Sequence, residues 1–481
     1  MNRGIFKAYD IRGLYPSEIN EEATVLIIRA FLNLTSARLN KPINELKIMI
    51  GQDNRESSTP LMKTATEVLL KNGVTIDNLG LISANDYYFS MGKYKYNGGV
   101  MATASHNPAE YGGFKLLILN SKTPNSFDLI NGESLLVEVD KLKDVDSVES
   151  LQGSITDKDI FPDHLEHVLS FIDLEKIKKF KVVVDTGGGV TAIMIKKLFA
   201  KLPCELIHLF PELDSSFSCR PPNPLTKGAW DKVSAKVLEE KADLGVMFDV
   251  DGDRVFLIDE LGQFIKGDMT LLLLAKKMLK ENPGAGVVYN LICSHSVKEL
   301  VAKWGGKPIR SEVGYSNLSR HIKEDGGLLS GEVAGHFAFR DNYYSDNAFL
   351  ALVLALQTIS EDGRPLSQII KDYSLYVRGD ENNLKVENIA ESLAKIRTHY
   401  SANILDEFDG ITVEFNNDGL AMNPNIIDRS GHAMNPSETS GSWWFNVRAS
   451  NTEPLLRVTV EAQNETELKK HQEEILNIIN N

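Results

Sequence analysis

The hydrophobic and polar positions of this chain alternate between two patterns. Short apolar runs bounded by polar residues and glycines predict buried strands, such as Lys47–Gly51. Longer segments with apolar residues at every third or fourth position predict helices, such as Glu21–Leu39 and Pro60–Lys71. Ser58 or Thr59 is expected to cap the second of these helices. Because strands and helices keep alternating, the sequence predicts layered α/β domains.

Three of the predicted strands lead directly into loops rich in polar side chains. Loops that follow strand ends are where α/β folds bind ligands. One loop offers a hydroxyl group, the second three carboxylates, and the third a glutamate with a histidine. They are Thr103–Pro108 after Gly99–Ala102, Asp249–Arg254 after Ala242–Phe248, and Gly331–His336 after Gly326–Ser330. The recurrence predicts three similar α/β units that each contribute one functional loop.

The first of these loops contains a candidate nucleophile. Ser105 lies between small residues and His106, in a turn that Asn107 and Pro108 close. A serine held on stiff backbone just beyond a strand and facing solvent has the position that a nucleophile or phosphate carrier needs. An ordinary polar turn is the alternative for this stretch taken by itself. The two other loops favour the nucleophile.

The second loop contains a candidate metal site. Asp249, Asp251 and Asp253 occupy alternate positions, where their charges would repel each other by up to about 4 kcal/mol per pair unless a cation binds. A calcium-binding EF-hand loop is excluded, because Arg254 stands where that loop needs glycine and because the flanks are strand-like rather than helical. A hard cation such as Mg²⁺, bound partly by a phosphate, fits better. A solvated acidic turn is the alternative.

The last segment of the chain has a different pattern, which predicts a small α+β unit. Its predicted elements are the strands Gly410–Phe415, Trp443–Val447 and Leu455–Glu461 and the helix Glu465–Ile479. The turn Arg448–Pro454 combines a guanidinium group, two hydroxyls and an amide within five residues. These donors, with the backbone amides of a turn, predict a cradle for a phosphate dianion. A surface hairpin turn is the alternative.

Composition and charge restrict the class of protein. The chain has 481 residues, of which 42% are hydrophobic and 25% charged, so it is expected to be globular with several cores. Its formal net charge of -14 argues against nucleic acid or an anionic membrane as a partner. No apolar run approaches the roughly 20 residues of a membrane span and the start lacks a signal-peptide core, so we expect a cytoplasmic protein. The three cysteines predict neither disulfides nor a zinc site.

The periodicity also predicts where the domains begin and end. Apolar periodicity fades between Lys141 and Asp159, and a predicted hairpin near residue 260 marks a second boundary. We therefore expect three α/β domains at 1–150, 151–260 and 261–370. A smaller α+β domain is expected at 371–481.

Together, four stretches resemble the signature loops of the α-D-phosphohexomutase superfamily, and most closely its phosphomannomutase/phosphoglucomutase members. The resemblance covers essentially the whole chain, in the order and spacing of the family. The matching stretches are Thr103-Ala104-Ser105-His106-Asn107-Pro108, Asp249-Val250-Asp251-Gly252-Asp253-Arg254, Gly331-Glu332-Val333-Ala334-Gly335-His336 and Arg448-Ala449-Ser450-Asn451-Thr452. The resemblance implies a four-domain α/β architecture, with a C-terminal α+β domain, around a central cleft.

The resemblance also implies a reaction, the interconversion of hexose 1-phosphate and hexose 6-phosphate with mannose or glucose as the sugar. Ser105 would carry the phosphoryl group, and hexose 1,6-bisphosphate would be the intermediate and activator. Mg²⁺ would be held by Ser105 together with Asp249, Asp251 and Asp253. A phosphoserine carries about -1.5 to -2 charges, so a divalent cation is needed beside these carboxylates. The partner implied is a small phosphosugar, bound by a monomer or a homo-oligomer.

The remaining site residues follow from the same resemblance. Those implied at the reacting phosphoryl group are Arg12, Lys115 and His106, with Arg254 steadying the phosphoryl oxygens. Glu332, Ala334 and His336 match the sugar-binding loop. The residues that match the loop gripping the distal phosphate are Arg448, Ser450, Asn451 and Thr452.

Some positions depart from the usual family pattern, so the resemblance does not determine which hexose phosphate is the substrate. Ala334 stands where serine is common, Gly112 replaces a frequent asparagine, and Glu312 and Tyr315 stand where many relatives carry a basic residue and a histidine. A phosphoglucosamine mutase is therefore an alternative within the enzyme class. A catalytically inactive sugar-phosphate-binding protein is the alternative from another class, but it predicts loss of Ser105 or of the aspartates, and all are present.

Overall fold

The computed structural model describes residues 1–123, 125–142, 152–415, 443–450 and 455–480. The chain forms two compact units. Unit 1 contains Met1–Lys277 and Ala334–Ile369, and unit 2 contains Met278–Val333 and Ile370–Asn481. Among the described residues, no helix is both long enough and apolar enough to cross a membrane.

The helices and strands of the described residues alternate along most of the chain, as the sequence predicts. The helices are α1 (Glu21–Leu39), α2 (Ser58–Lys71), α3 (Ala84–Tyr94), α4 (Gly132–Lys141), α5 (Phe161–Leu169), α6 (Thr191–Phe199), α7 (Asp231–Glu240), α8 (Gly267–Glu281), α9 (His295–Lys303), α10 (Tyr315–Glu324), α11 (Ala348–Asp362), α12 (Leu366–Tyr373), α13 (Ile389–His399) and α14 (Glu465–Asn480). The strands are β1 (Ile11–Leu14), β2 (Lys47–Gln52), β3 (Thr75–Leu81), β4 (Gly98–Ala102), β5 (Tyr111–Leu119), β6 (Phe127–Leu129), β7 (Ser154–Asp157), β8 (Lys181–Asp185), β9 (Glu205–Leu209), β10 (Leu244–Phe248), β11 (Val255–Ile258), β12 (Phe264–Ile265), β13 (Gly286–Asn290), β14 (Lys307–Ser311), β15 (Gly327–Gly331), β16 (Phe337–Phe339), β17 (Ser345–Asp346), β18 (Val377–Arg378), β19 (Asn382–Leu384), β20 (Ile404–Asp406), β21 (Ile411–Phe415), β22 (Trp443–Ala449) and β23 (Leu456–Ala462).

Unit 1 contains two mixed sheets. The first has the strand order β1-β5-β4-β2-β3-β7, with β6 paired to β5, and the second has the order β12-β11-β10-β8-β9. In each sheet a fully buried strand, β4 or β10, pairs in parallel on one side and in antiparallel on the other. The serine loop follows β4 and the aspartate loop follows β10. The predicted placement of both loops at strand ends is therefore confirmed.

Unit 2 contains three parallel strands in the order β14-β13-β15, and a separate antiparallel sheet. The antiparallel sheet has the order β18-β23-β22-β21-β20, with β19 paired to β23. Apolar residues of β21, β22 and β23 form one core with α13 and α14. The predicted C-terminal α+β unit is thus confirmed for the part of the chain described. The polar segment 416–442 lies outside the described residues.

Local chemistry explains several helix boundaries and corrects one prediction. Asn20 caps α1 by accepting a hydrogen bond from the backbone N–H of Ala23, so the predicted helix Glu21–Leu39 is confirmed to the residue. Helix α2 begins at Ser58 rather than at Pro60, and the hydroxyl of Ser58 donates to the carboxylate of Asp53 instead of capping the helix. The predicted cap was wrong because a buried carboxylate competes for that hydroxyl.

The four-domain boundaries remain a prediction. The first boundary falls on residues 143–151, which lie outside the described residues.

Candidate active site

The serine loop of unit 1 holds Ser105 in a strained, buried position. Ser105 has φ 50°, in the left-handed region that L-residues rarely occupy, and its side chain is almost completely buried. Its backbone N–H donates to Thr103 Oγ1 at 2.9 Å. The expectation that this serine faces solvent was wrong, because the aspartate loop packs against it.

The aspartate loop lies directly against the serine. Ser105 Oγ is 3.2 Å from Asp251 Oδ1 and 3.2 Å from His106 Nδ1. Asp249, Asp251 and Asp253 are all buried, and each offers an oxygen within 4.8 Å of the others. Sequence reasoning predicted that the serine and the three carboxylates come together, and the geometry places them so.

The backbone of the aspartate loop is tied to the first of its carboxylates. Asp249 Oδ1 accepts hydrogen bonds from the backbone N–H groups of Gly252 at 3.0 Å and Arg254 at 3.1 Å. Gly252 has φ 82°, and a Cβ built there would lie 2.0 Å from Thr191 Cγ2. Glycine is therefore required at this position for both conformation and space.

Two carboxylate oxygens of this loop fit a metal ion. Asp249 Oδ2 and Asp253 Oδ1 are buried and have no hydrogen-bond partner among the described residues. Arg254 Nε, 3.6 Å from Asp249 Oδ2, and His336 Nδ1, 3.9 Å from Asp253 Oδ1, are beyond hydrogen-bond distance, so a bound cation would satisfy these buried oxygens. Burial, with the charges of Asp253 and Asp251, raises the pKa of Asp249 well above its usual value. The donor set is all oxygen, as Mg²⁺ and similar hard cations prefer.

Lys115 neutralises part of this charge. Its Nζ lies 2.6 Å from Asp251 Oδ2 and 2.5 Å from Asp253 Oδ2, and the side chain is buried. Burial alone would lower the pKa of Lys115, but Asp251 and Asp253 outweigh it and raise that pKa well above its usual value. Burial also opposes ionisation of Asp253, yet the charges of Lys115, His336 and Arg254 lower its pKa. A charged lysine is thus held against Asp251, the carboxylate that Ser105 also contacts.

Arg12 and His106 contact the serine loop or lie within it. Arg12 Nε donates to Asp10 Oδ2 at 2.7 Å, and its Nη1 donates to Asn107 Oδ1 at 2.8 Å. Burial, with the charges of Arg254 and Arg12, lowers the pKa of His106 well below its usual value, so this imidazole is neutral near pH 7.

His336, at the end of the third loop, belongs to unit 1 and lies beside the aspartate loop. Arg254 Nε lies 3.0 Å from His336 Nε2, and His336 Nδ1 lies 3.0 Å from Asp346 Oδ2. The backbone N–H of Val255 donates to the carbonyl of Gly335, which joins the third loop to the aspartate loop. Ala334 is partly exposed.

Arg55 is a residue of this site that sequence reasoning missed. Its buried guanidinium donates to the backbone carbonyls of Ser105, Asn107 and Pro108, while its Nε bonds Asp53. One side chain therefore fixes most of the serine loop. The signal was present in the sequence, because Gln52–Ser58 is another polar loop directly after a predicted strand.

The remaining predicted residues belong to unit 2. Glu332 is buried, and its Oε2 accepts a hydrogen bond from Asn290 Nδ2 at 3.0 Å. Arg448 lies within strand β22 rather than in the turn, is buried, and forms an ion pair with Glu381 at 2.9 Å. Ser450 is partly exposed. Asn451 and Thr452 lie outside the described residues.

One departure from the family pattern also has a structural partner in unit 2. Glu312 forms an ion pair with Arg320 at 2.9 Å, and its Oε2 lies 3.0 Å from His321 Nε2, both on α10. Its carboxylate therefore connects the segment between β14 and α10 to helix α10.

Comparison with known proteins decides the family. Four family models match in sequence order. They are those of phosphoglucomutase/phosphomannomutase alpha/beta/alpha domains I, II and III, at residues 3–126, 161–262 and 266–376, and of the C-terminal domain, at residues 381–478. The chain belongs to the phosphoglucomutase/phosphomannomutase family. Its four-domain α/β architecture, expected from the sequence, is that of this family.

Individual relatives agree with this assignment. A phosphomannomutase of Methanocaldococcus jannaschii is 31% identical over 477 residues, which cover 99% of this chain and 97% of that one. A phosphoglucomutase/phosphomannomutase family protein from Burkholderia thailandensis has a TM-score of 0.83 at 25% identity and covers 100% of this chain and 97% of that one. A more distant fold relative is the Aspergillus fumigatus N-acetylphosphoglucosamine mutase in complex with glucose 1,6-bisphosphate, with a TM-score of 0.56 at 15% identity, covering 99% of this chain and 95% of that one.

Proposed function

We propose that this protein is a phosphohexomutase that interconverts hexose 1-phosphate and hexose 6-phosphate, with mannose or glucose as the sugar. The observation that carries the proposal is the 3.2 Å approach of Ser105 Oγ to Asp251 within a buried set of three carboxylates. Membership of the phosphoglucomutase/phosphomannomutase family supports the same reaction.

In the proposed reaction, Ser105 Oγ carries a phosphoryl group that passes to the free hydroxyl of the hexose monophosphate. The Ser105 O–P bond breaks and a new O–P bond to the sugar forms, which gives a hexose 1,6-bisphosphate. The other phosphoryl group of that bisphosphate then returns to Ser105, and the isomeric monophosphate leaves. Phosphate monoesters cleave very slowly unaided, so stabilisation of charge around the transferred group must supply most of the acceleration.

The residues around Ser105 fit this requirement. Asp249, Asp251 and Asp253, with Ser105, would hold Mg²⁺, which when bound supplies positive charge to the phosphoryl oxygens. Lys115 would stabilise charge or relay the hydroxyl proton, because its Nζ already lies against the same carboxylates.

Three further residues of unit 1 would steady the phosphoryl group. Arg12 would contribute positive charge from the other side of the serine loop, where Asn107 orients its guanidinium. Neutral His106 would accept from or donate to Ser105 Oγ. Arg254 would contact phosphoryl oxygens, and its Nε lies 3.0 Å from His336 Nε2.

We also propose the substrate contacts. Glu332 would accept hydrogen bonds from sugar hydroxyls, and Ala334 and His336 would line the same loop. The residues proposed to bind the distal phosphate are Arg448, Ser450, Asn451 and Thr452. Since the bisphosphate must be used in both orientations, these groups would bind either phosphate in turn.

A substrate competition tests the proposal. Purified protein, Mg²⁺ and a trace of hexose bisphosphate are supplied with mannose, glucose or glucosamine 1-phosphate, and kcat/KM is compared. We expect turnover to the 6-phosphates, with mannose or glucose preferred. A preference for glucosamine 1-phosphate would instead indicate a phosphoglucosamine mutase. The absence of turnover with every hexose phosphate would contradict the enzyme and favour a sugar-phosphate-binding protein.

A further inference from the structure

The aspartate loop Asp249–Arg254 is held from outside by the first turn of helix α3. Two successive backbone carbonyls of the loop accept hydrogen bonds from this turn. The backbone N–H of Ala84 donates to the carbonyl of Asp251 at 2.8 Å, and the side-chain Nδ2 of Asn85 donates to the carbonyl of Gly252. Asn85 is completely buried. The loop's geometry therefore depends on a residue that offers no ligand to the metal.

The orientation of the Asn85 amide is fixed by a second element. Its Oδ1 accepts a hydrogen bond from the backbone N–H of Ala348, at the start of α11, at 3.0 Å. A side-chain amide donates from one end and accepts at the other, so this acceptor contact directs the NH₂ group toward Gly252. Leucine has a similar size but neither function, and aspartate keeps only the acceptor.

A buried network holds the same turn of α3. Ser83 caps the helix reciprocally with Asp86, and Asp86 Oδ1 lies 2.7 Å from His164 Nδ1. His164 Nε2 lies 3.1 Å from Asn347 Nδ2, and Asn347 caps α11 through its bond to Leu350 N. Every side chain of this network is at most slightly exposed. The turn of α3 that carries Asn85 is therefore tied to α5 and to the start of α11 by buried side chains.

We propose that Asn85 is a positioning residue for the metal loop. By fixing the Gly252 carbonyl, it keeps three mutually repelling carboxylates in the arrangement that binds a divalent cation, so the site is organised before the ion arrives. Residues behind a metal's direct ligands commonly change affinity in this way. The inference rests on the metal site of the proposed function, but it concerns ion binding rather than turnover.

The test measures direct binding of Mn²⁺, the probe metal, to the full-length protein, with electron paramagnetic resonance as the readout. Asn85→Leu is expected to raise the Mn²⁺ Kd by about 10- to 100-fold. The matched control is Ser90→Ala, which removes a buried hydroxyl from the same helix where that hydroxyl has no hydrogen-bond partner among the described residues. We expect the control to bind Mn²⁺ as the wild type does, and thermal unfolding in EDTA establishes that each variant is folded.

A second variant guards against a failure of Asn85→Leu to fold. Asn85→Asp in its ionised form keeps the size and the acceptor toward Ala348 but has no donor for Gly252, so at a pH where it is ionised it is also expected to weaken Mn²⁺ binding. Turnover of both variants should recover toward the wild-type rate as Mg²⁺ is raised, which a purely structural defect would not do. A folded variant that binds Mn²⁺ as tightly as wild type overturns the inference, as does a wild type that binds none. A wild type that binds Mn²⁺ but converts no hexose phosphate refutes only the proposed function.

Discussion

Ser105 Oγ lies 3.2 Å from Asp251 Oδ1, although 146 positions separate the two residues in the chain. The serine follows β4 of one sheet and the aspartate follows β10 of another, so two α/β layers contribute to one buried cluster. A buried hydroxyl beside three buried carboxylates is placed where a bound cation would offset their charge.

Replacing Ser105 by alanine is expected to remove the phosphoryl carrier. We expect turnover of hexose 1-phosphate to fall by at least about 10³-fold, because the remaining groups stabilise charge but cannot form the covalent intermediate. Intact-mass measurement should find about one phosphoryl group on wild-type protein and none on Ser105→Ala. Ser154→Ala, on the exposed strand β7, is the control and should keep both properties. Phosphate retained by the Ser105 variant would place the carrier elsewhere.

Replacing Asp249 by asparagine is expected to raise thermal stability without metal and to lower it, relative to the wild type, with metal. Burial and the neighbouring carboxylates raise the pKa of Asp249 above the pKa of the same carboxyl in the unfolded chain. The unfolded chain therefore releases this proton at lower pH, so the metal-free protein loses stability as pH rises above the unfolded carboxyl's pKa. In EDTA at pH 7 we expect Asp249→Asn to raise Tm by about 2 °C or more. In Mg²⁺ the wild type should be the more stable, because it gains binding energy that the variant loses. The same Tm difference in both buffers would argue against a metal at Asp249.

Arg55 is expected to control the serine loop. Arg55→Met leaves the buried carboxylate of Asp53 without its charge partner and frees three loop carbonyls, so we expect a loss of about 3 kcal/mol in stability. At a temperature where the variant remains folded, kcat should fall at least about 10-fold while KM changes little, because the loop orients the carrier rather than the sugar. Denaturation and steady-state kinetics measure the two effects. A variant with unchanged kcat would show that the loop keeps its conformation without the guanidinium.

Arg448 is expected to affect substrate binding rather than the chemical step. Arg448→Gln should raise KM for hexose 1-phosphate by about 10-fold or more, since a charge-assisted contact to phosphate is lost. Arg457→Gln is the matched control, because Arg457 binds the same partner, Glu381, at 3.0 Å. If both variants raise KM equally, the effect comes from Glu381 and not from a phosphate contact at Arg448.

His167 is expected to make stability depend on pH. Burial lowers the pKa of His167 to about 4, below the value of about 6.5 expected for the unfolded chain. The unfolded state therefore binds the proton more readily between these values, and stability should be lost as pH falls from about 6.5 to 4. His167→Gln should flatten the decline of Tm over this range, whereas His399→Gln, at an exposed position, should not. Parallel Tm curves for all three proteins would contradict this assignment.

How far the sequence could predict this site depends on the distance between interacting residues. The strands before the loops and the helix Glu21–Leu39 follow from local periodicity, which a single sequence contains. The hydrogen bond of Ser58 to Asp53 is local, but the sequence does not show which of the two roles, cap or partner of Asp53, its hydroxyl takes. The polar loop after β2 points to Arg55, whereas its bonds to the serine loop join segments about 50 residues apart and depend on packing between them. The burial of Ser105 was missed for the same reason.

The division of the chain into two units has an evolutionary consequence. Ser105 and the three aspartates belong to unit 1, whereas Glu332 and Arg448 belong to unit 2. On the proposed roles, Glu332 and Arg448 can change in unit 2 while the phosphoryl-transfer residues of unit 1, with Ala334 and His336 of the sugar-binding loop, are inherited unchanged.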